Sequence, residues 1–322
     1  MKILANDGLS EDAVQYLKDN GCEVSTTNIP QDQLINYINE QKITVLSVRS
    51  ATKVRKDIID ACPSLQIIGR GGVGMDNIDV EYARSKGIQV INTPAASSHS
   101  VGELVFAHLF GLARFLYDAN REMPQNGAGD FKALKKKYAK GFELKGSTIG
   151  IIGFGRIGQA TAKIALGLGM KVIVADHTPG EYELELDIQG AGEVKVKITS
   201  TNKEEVLKNA DVITLHVPAQ EDGTPVLGAN EFKLMKDGVV VINAARGGVI
   251  DEDALIDALN SGKVASAGLD VFVNEPTPRE DILSHEKISL SPHIGAATNA
   301  AQQRIGFELA DQILSFYKVS AN

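Results

Sequence analysis

The sequence predicts an α/β protein made of two doubly wound parallel-sheet domains. Three observations carry this. Short β-branched runs alternate with helical stretches, an alternation that covers parallel strands with helices on both faces. The alternation falls into two series, separated by one long apolar-periodic stretch. The chain has 322 residues, room for two domains of roughly 150 residues each.

The first series has strands at 2–5, 43–48, 66–69 and 88–91. Helices are expected at 10–20, 31–39 and 54–61, each opened by a polar or capping residue. Residues 98–120 then read as one long helix, capped by Ser98 or Ser100, with Val101, Leu104, Val105, Leu109 and Leu112 on its buried face. Residues 122–146 read as a loop-like connection rich in Gly and Lys. Its cations, Lys132, Lys135, Lys136, Lys137 and Lys140, form either a solvated face or an arm that crosses to a second subunit and meets an anionic substrate. The second series places strands at 148–152, 171–175, 211–215, 239–242 and 264–267. Its helices are expected at 157–168, 204–209, 230–235 and 253–260. A last helix, 298–317, buries Ala301, Ile305, Leu309, Ile313 and Leu314.

Composition narrows the function classes. With 43% apolar and 23% charged residues the chain is ordinary globular protein, not a disordered one. The net charge of -8, from 33 basic and 41 acidic residues, argues against nucleic acid as a partner. No apolar run approaches the roughly 18–20 residues a membrane span needs. The start, Met1-Lys2-Ile3-Leu4-Ala5-Asn6-Asp7, meets a charge too early for a signal-peptide core. Cys22 and Cys62 show no metal-type spacing, so free thiols, no metal and a cytoplasmic location are expected.

One motif carries chemistry by itself. Gly153-Phe154-Gly155-Arg156-Ile157-Gly158 follows an apolar strand and opens a helix. Asp176 ends the next strand, 18 residues after Gly158, near the spacing of about 20 that dinucleotide sites use. Gly153 allows the tight turn, Gly155 lets a pyrophosphate approach the backbone, and Gly158 lets helix and strand pack closely. The helix N-terminus offers free N–H groups and partial positive charge. Asp176 would accept a ribose diol and repel a 2′-phosphate, which predicts NAD as cofactor. The motif arrives near the chain midpoint, so the first 100 residues or so have another task, most simply substrate binding.

Three further segments stand after later strands: Asn243-Ala244-Ala245-Arg246-Gly247-Gly248, Gly268-Leu269-Asp270 through Glu275-Pro276, and Ser291-Pro292-His293-Ile294-Gly295. Together with the glycine motif they resemble the D-2-hydroxyacid dehydrogenases. Arg49-Ser50, Gly71-Gly72-Val73-Gly74-Met75-Asp76-Asn77 and Asn92-Thr93-Pro94 are similar to the branch that oxidises D-3-phosphoglycerate and opens serine synthesis. The resemblance covers nearly the whole chain. It implies a Rossmann cofactor domain, 99–292, inserted into a flavodoxin-like substrate domain, 1–98 plus 293–322. It implies His293 as acid/base, Glu275 as its carboxylate partner and Arg246 as the grip on the substrate carboxylate. These types suit the work: imidazole titrates near neutrality, and a guanidinium fork matches an oxyacid.

The resemblance also assigns Val73, Arg156, Ile157, Ala244, Ala245, Asp270, Gly295 and the segment His216-Val217-Pro218 to the cofactor. A packing role for His216 is equally open. Arg49, Ser50, Gly72 and Val73 would receive the substrate's carboxylate or phosphate. His99, His108, His177 and His285 are weaker candidates. The implied partners are a small 2-hydroxy or 2-oxo acid, phosphorylated, and a second copy of the chain in a homodimer. The chain ends soon after its last helix, which leads to the expectation of no serine-sensing domain. Two other readings share the motifs: a hydroxypyruvate or glyoxylate reductase, and an NADH-sensing protein like the corepressors related to this family.

Overall fold

A computed structural model describes residues 1–320 of the chain. It divides into two compact units, Met1–Ser98 with Ala296–Asn322, and His99–Gly295. The second boundary lies three residues beyond the expected one: His293, Ile294 and Gly295 belong to the second unit. The cause is Asp270, whose carboxylate accepts the N–H groups of Ile294 and Gly295 at 2.8 and 2.9 Å. Residues 321–322 of the expected first domain lie outside the described residues.

The first unit runs β1 (Lys2–Ala5), α1 (Glu11–Asp19), β2 (Glu23–Ser25), α2 (Leu34–Gln41), β3 (Val45–Val48), α3 (Lys56–Ala61), β4 (Ile67–Arg70), α4 (Val80–Ser85) and β5 (Gln89–Asn92). Its five strands are all parallel, in the order β2-β1-β3-β4-β5. The pleat sorts the apolar residues by parity. Leu4, Leu46, Ile68 and Val90 face one core, and Ile3, Val45 and Ile67 face the other. The sequence pattern missed β2 and α4, both too short to show a period.

The second unit opens with α5 (Ser98–Ala113) and α6 (Leu116–Lys137). Two expectations fail here. The helix expected over 98–120 breaks at Phe115, which adopts a left-handed φ of 53°. The Ala113 carbonyl at the break is taken by the Phe142 N–H at 3.1 Å. The stretch expected as a loop is helical through Lys137, as two segments meeting at Asp130, where φ is -118° and ψ 26°. An ion pair between Glu122 and Lys137 ties the two segments together.

Next come β6 (Thr148–Ile152), α7 (Arg156–Gly167), β7 (Lys171–Ala175), β8 (Glu181–Ile188), β9 (Gly192–Thr199), α8 (Lys203–Asn209), β10 (Val212–Leu215), α9 (Ala229–Leu234), β11 (Val239–Asn243), α10 (Glu252–Ser261), β12 (Val264–Leu269), α11 (Glu280–Leu283) and β13 (Ile288–Leu290). The main sheet is parallel, in the order β13-β12-β11-β10-β6-β7. Strands β8 and β9 form an antiparallel hairpin that the sequence analysis left unassigned. Its signal was present as alternation: Tyr182, Leu184 and Leu186 pack on the core with Val196 and Ile198, while Glu and Lys alternate between them. The last helix, α12 (Asn299–Ser320), returns to the first unit, where Leu309 and Ile313 pack beside Leu17 of α1.

Cys22 and Cys62 are buried thiols, and burial pushes Cys62 up to about 11. Among the described residues no helix is long and apolar enough to cross a membrane, and no cluster of His, Cys, Asp and Glu could hold a metal ion.

Candidate active site

In doubly wound sheets ligands bind beyond the carboxyl ends of the strands, where the strand order reverses. In the second unit that point lies at β6, flanked by β7 on one side and β10 on the other. The glycine motif leaves β6 there. Gly153 has φ +92°, and a Cβ on it would stand 2.5 Å from the His216 carbonyl oxygen. A Cβ on Gly158 would stand 2.2 Å from the Gly153 oxygen, so the helix can start this close only without one. Gly155, the N-cap of α7, has nothing within 4 Å of the same position. The first two glycines are consumed by packing, while the third opens a surface beside the free N–H groups of α7.

Asp176 follows β7 and sits against this turn. Its Oδ2 accepts the Phe154 N–H at 2.5 Å and its Oδ1 the Thr178 N–H at 3.0 Å. Burial pushes its carboxyl upward, but those two N–H groups and His177 outweigh it and hold the carboxyl below its usual range. An ionised carboxylate beside an open glycine turn at a helix start fits a dinucleotide with an unphosphorylated ribose. His216 turns its ring away from that surface: Nε2 lies 3.2 Å from both Thr161 Oγ1 and Thr214 Oγ1. Burial drives its pKa down to about 3, so the ring is neutral. Its backbone, with the Val217 side chain, forms the wall behind Gly153.

The polar residues after β11, β12 and β13 meet one another. Asn243 Oδ1 accepts the Ala245 N–H at 3.0 Å, and its Nδ2 donates to the Arg246 carbonyl at 2.9 Å. This sets the turn that carries Arg246, whose Nη1 donates to the Ala245 carbonyl at 2.6 Å. The next residue, Gly247, abuts the neighbouring loop so closely that a Cβ would stand 1.9 Å from the Phe272 oxygen. In that loop Glu275 Oε1 accepts the Phe272 N–H at 2.9 Å. Its Oε2 accepts from His293 Nδ1 at 2.7 Å. An imidazole held this way presents Nε2 for proton exchange. His293 and Glu275 side chains are 42% and 34% exposed, so a small molecule reaches the pair.

In the first unit, strand order reverses between β1 and β3. Arg49 and Ser50 follow β3 there. Asp7, just past β1, accepts the Arg49 N–H at 2.6 Å, the Thr52 N–H at 3.1 Å and the Thr52 hydroxyl at 2.6 Å. Asn77 Nδ2 donates to the Arg49 and Thr52 carbonyls at 2.7 and 2.6 Å. The Arg49 side chain runs beside Gly71, where a Cβ on the glycine would stand 3.6 Å from Arg49 Cγ. The Gly72 N–H is spent on the Arg70 carbonyl at 2.9 Å, whereas the Val73 N–H has no internal acceptor among the described residues.

The sequence reading missed four residues that shape these loops: Asp7, Asn77, Asn243 and Glu252. Glu252 lies at the start of α10 and accepts the Val273 N–H at 2.9 Å, bracing the Glu275 loop. Asn243 and Glu252 are buried polar residues at a strand or helix end, which is a positional hint; the partners of Asp7, Asn77 and Glu252 lie 21 or more positions away.

Comparison with known proteins agrees with this geometry. Residues 106–295 match the model of the D-isomer specific 2-hydroxyacid dehydrogenase, NAD binding domain. The chain is 42% identical to a hydroxypyruvate reductase of Thermotoga maritima, over 97% of each chain. It is 40% identical to a D-3-phosphoglycerate dehydrogenase of Methanocaldococcus jannaschii, over 97% of this chain but 57% of that one. Among solved structures, the TT0316 protein of Thermus thermophilus superposes with a TM-score of 0.84 at 29% identity, covering 99% of this chain and 97% of its own. The chain belongs to the D-2-hydroxyacid dehydrogenases and uses NAD as its cofactor.

Proposed function

We propose that this dehydrogenase interconverts D-3-phosphoglycerate and 3-phosphohydroxypyruvate. The observation that carries the reading is the arginine loop at the reversal point of the first sheet: Arg49, braced through its backbone by Asp7 and Asn77, runs beside Gly71, two residues before the Val73 N–H that has no internal acceptor among the described residues. A guanidinium and a free amide are the donors that a phosphate or carboxylate accepts. NAD, when bound, would supply the hydride acceptor; Gly155 and the N–H groups at the start of α7 would hold its phosphates, and Asp176 its ribose.

The chain's own groups do the rest. His293 Nε2 takes the hydroxyl proton in oxidation and returns it in reduction. Glu275 fixes the ring through its hydrogen bond to Nδ1. Arg246 grips the substrate carboxylate and polarises the reacting carbonyl. Apolar side chains exposed along α5 and α6, Phe110, Leu116, Tyr117 and Phe131, support a homodimer formed through this unit.

A second reading has its own support. The Thermotoga maritima relative is matched over 97% of its length and is named a hydroxypyruvate reductase. Oxidation of NADH by phosphohydroxypyruvate, hydroxypyruvate and glyoxylate, compared as kcat/KM, separates the two. The phosphorylated acid is expected to lead by about tenfold or more, and Arg49→Ala to remove that lead. A lead for the unphosphorylated acids in the intact protein moves the assignment to the reductase.

A further inference from the structure

The turn that carries His293 is an unfavourable one. His293 has φ 55°, a left-handed conformation that side chains other than glycine seldom adopt, and a proline precedes it. Something must hold it. The two N–H groups that follow, of Ile294 and Gly295, both end on Asp270, which is 1% exposed. Asp270 Oδ1 also accepts from the Ser291 hydroxyl at 2.6 Å. The chain of contacts continues inward. His108, from the middle of α5 and 5% exposed, places Nε2 at 2.9 Å from Ser291 Oγ and Nδ1 at 2.8 Å from Ser289 Oγ. Its seat exists because β12 has Gly268 there: a Cβ would stand 2.8 Å from the His108 Cβ.

The direction of each bond follows from the others. The Ser291 hydroxyl proton is committed to the Asp270 carboxylate, so Ser291 Oγ can only accept from His108. His108 Nε2 therefore carries a proton. Burial lowers the imidazole's pKa, against the opposing pull of the Asp270 charge, so the ring is neutral. Its Nδ1 is then an acceptor, filled by the Ser289 hydroxyl. The result is a one-way relay of donors from Ser289 through His108 and Ser291 to Asp270, with every buried polar atom of the imidazole satisfied.

We propose that His108 is a positioning residue for the reaction: through Ser291 it orients the Asp270 carboxylate, which in turn holds the strained turn that aims His293. His108 touches neither Glu275 nor the His293 ring, and it acts only through this relay. The proposal rests on the reading of His293 as the acid/base. It also gives a task to a histidine that the sequence ranked low and the reaction does not otherwise use.

The test combines kinetics with hydrogen exchange at the Ile294 and Gly295 amides, the groups that Asp270 holds. His108→Leu and Ser291→Ala should each lower kcat by roughly 10–100-fold, the cost of a catalytic group displaced by about an ångström. The double variant should be no slower than the worse single one, because both break the same relay. Exchange at Ile294 and Gly295 should quicken in all three relative to the other amides of the unit. His108→Gln, which keeps a donor toward Ser291, should restore most of kcat. An unchanged kcat in folded His108→Leu, additive losses in the double variant, or lost kcat with unchanged exchange at the two amides would each overturn the proposal. If His108→Leu does not fold, Ser291→Ala decides alone by the same exchange criterion. His293→Ala is the control. Full turnover there would sink the acid/base reading, whereas quickened exchange in His108→Leu would still support the relay itself.

Discussion

Two loops stand where strand order reverses in the two sheets, after β6 in one and after β3 in the other, and they are built by opposite means. The glycine turn after β6 takes its shape from missing side chains. Gly153 and Gly158 let backbone meet backbone where a Cβ would collide at 2.5 and 2.2 Å. The arginine loop after β3 takes its shape from side chains that are present: Asp7 and Asn77 between them make five hydrogen bonds to Arg49 and Thr52. The first device works by leaving no room for a side chain at Gly153 and Gly158. The second is spread over several side chains, so a single substitution removes only part of it.

The comparison can be broken or sharpened in four ways. The largest effect should come from the proposed acid/base. His293→Ala should lower kcat by roughly 10²–10⁴, measured by NADH oxidation; unchanged turnover would remove the residue from the mechanism. Gly153→Ala should destabilise the protein by about 3 kcal/mol in denaturant unfolding, since it forces a side chain into a left-handed φ and against a carbonyl. A loss well under 1 kcal/mol would show the turn to be far more pliable than the geometry implies. Asp7→Ala should cost less, about 1–2 kcal/mol, because water can reach part of the loop. Its larger mark should be a raised KM for the acid with the NADH dissociation constant unchanged; weakened NADH binding would blur the division between the loops. Asp176→Ala should have the smallest effect, reducing preference for NADH over NADPH by about tenfold, or 1.4 kcal/mol. An unaltered preference would refute its ribose role.

Much of this was legible because the signals are short-range. Strands β1, β6 and β7 match the sequence reading residue for residue, since each is a run of β-branched or apolar residues bounded by polar ones. The glycine motif reads correctly because three glycines in six positions are a backbone requirement written directly in residue type. Legibility failed where tertiary contacts overrode local preference. Gly127, Gly129 and Pro124 pointed to a loop, yet α6 is helical around its bend, tied by Glu122 and Lys137 fifteen positions apart. The 98–120 helix showed unbroken periodicity, yet its end at Ala113 is set by the Phe142 N–H, which no local pattern contains.

The sequence by itself determined the class of the protein: two doubly wound units, a dinucleotide turn, an acidic ribose partner and a set of oxyacid-handling residue types. The units and the turn follow from periodicity and glycine spacing, the ribose partner from the spacing of an acidic residue, and the oxyacid-handling residues from the resemblance to the family. Only the tertiary structure decided which of them act together. It turned the His216 ring inward to Thr161 and Thr214, and gathered His108, Ser289, Ser291 and Asp270 behind the His293 turn. The reason is physical. A hydrogen bond needs its partners within about 3 Å and in line, and for residues as far apart in the chain as His108 and Ser291 only the packing of sheets and helices can bring that about.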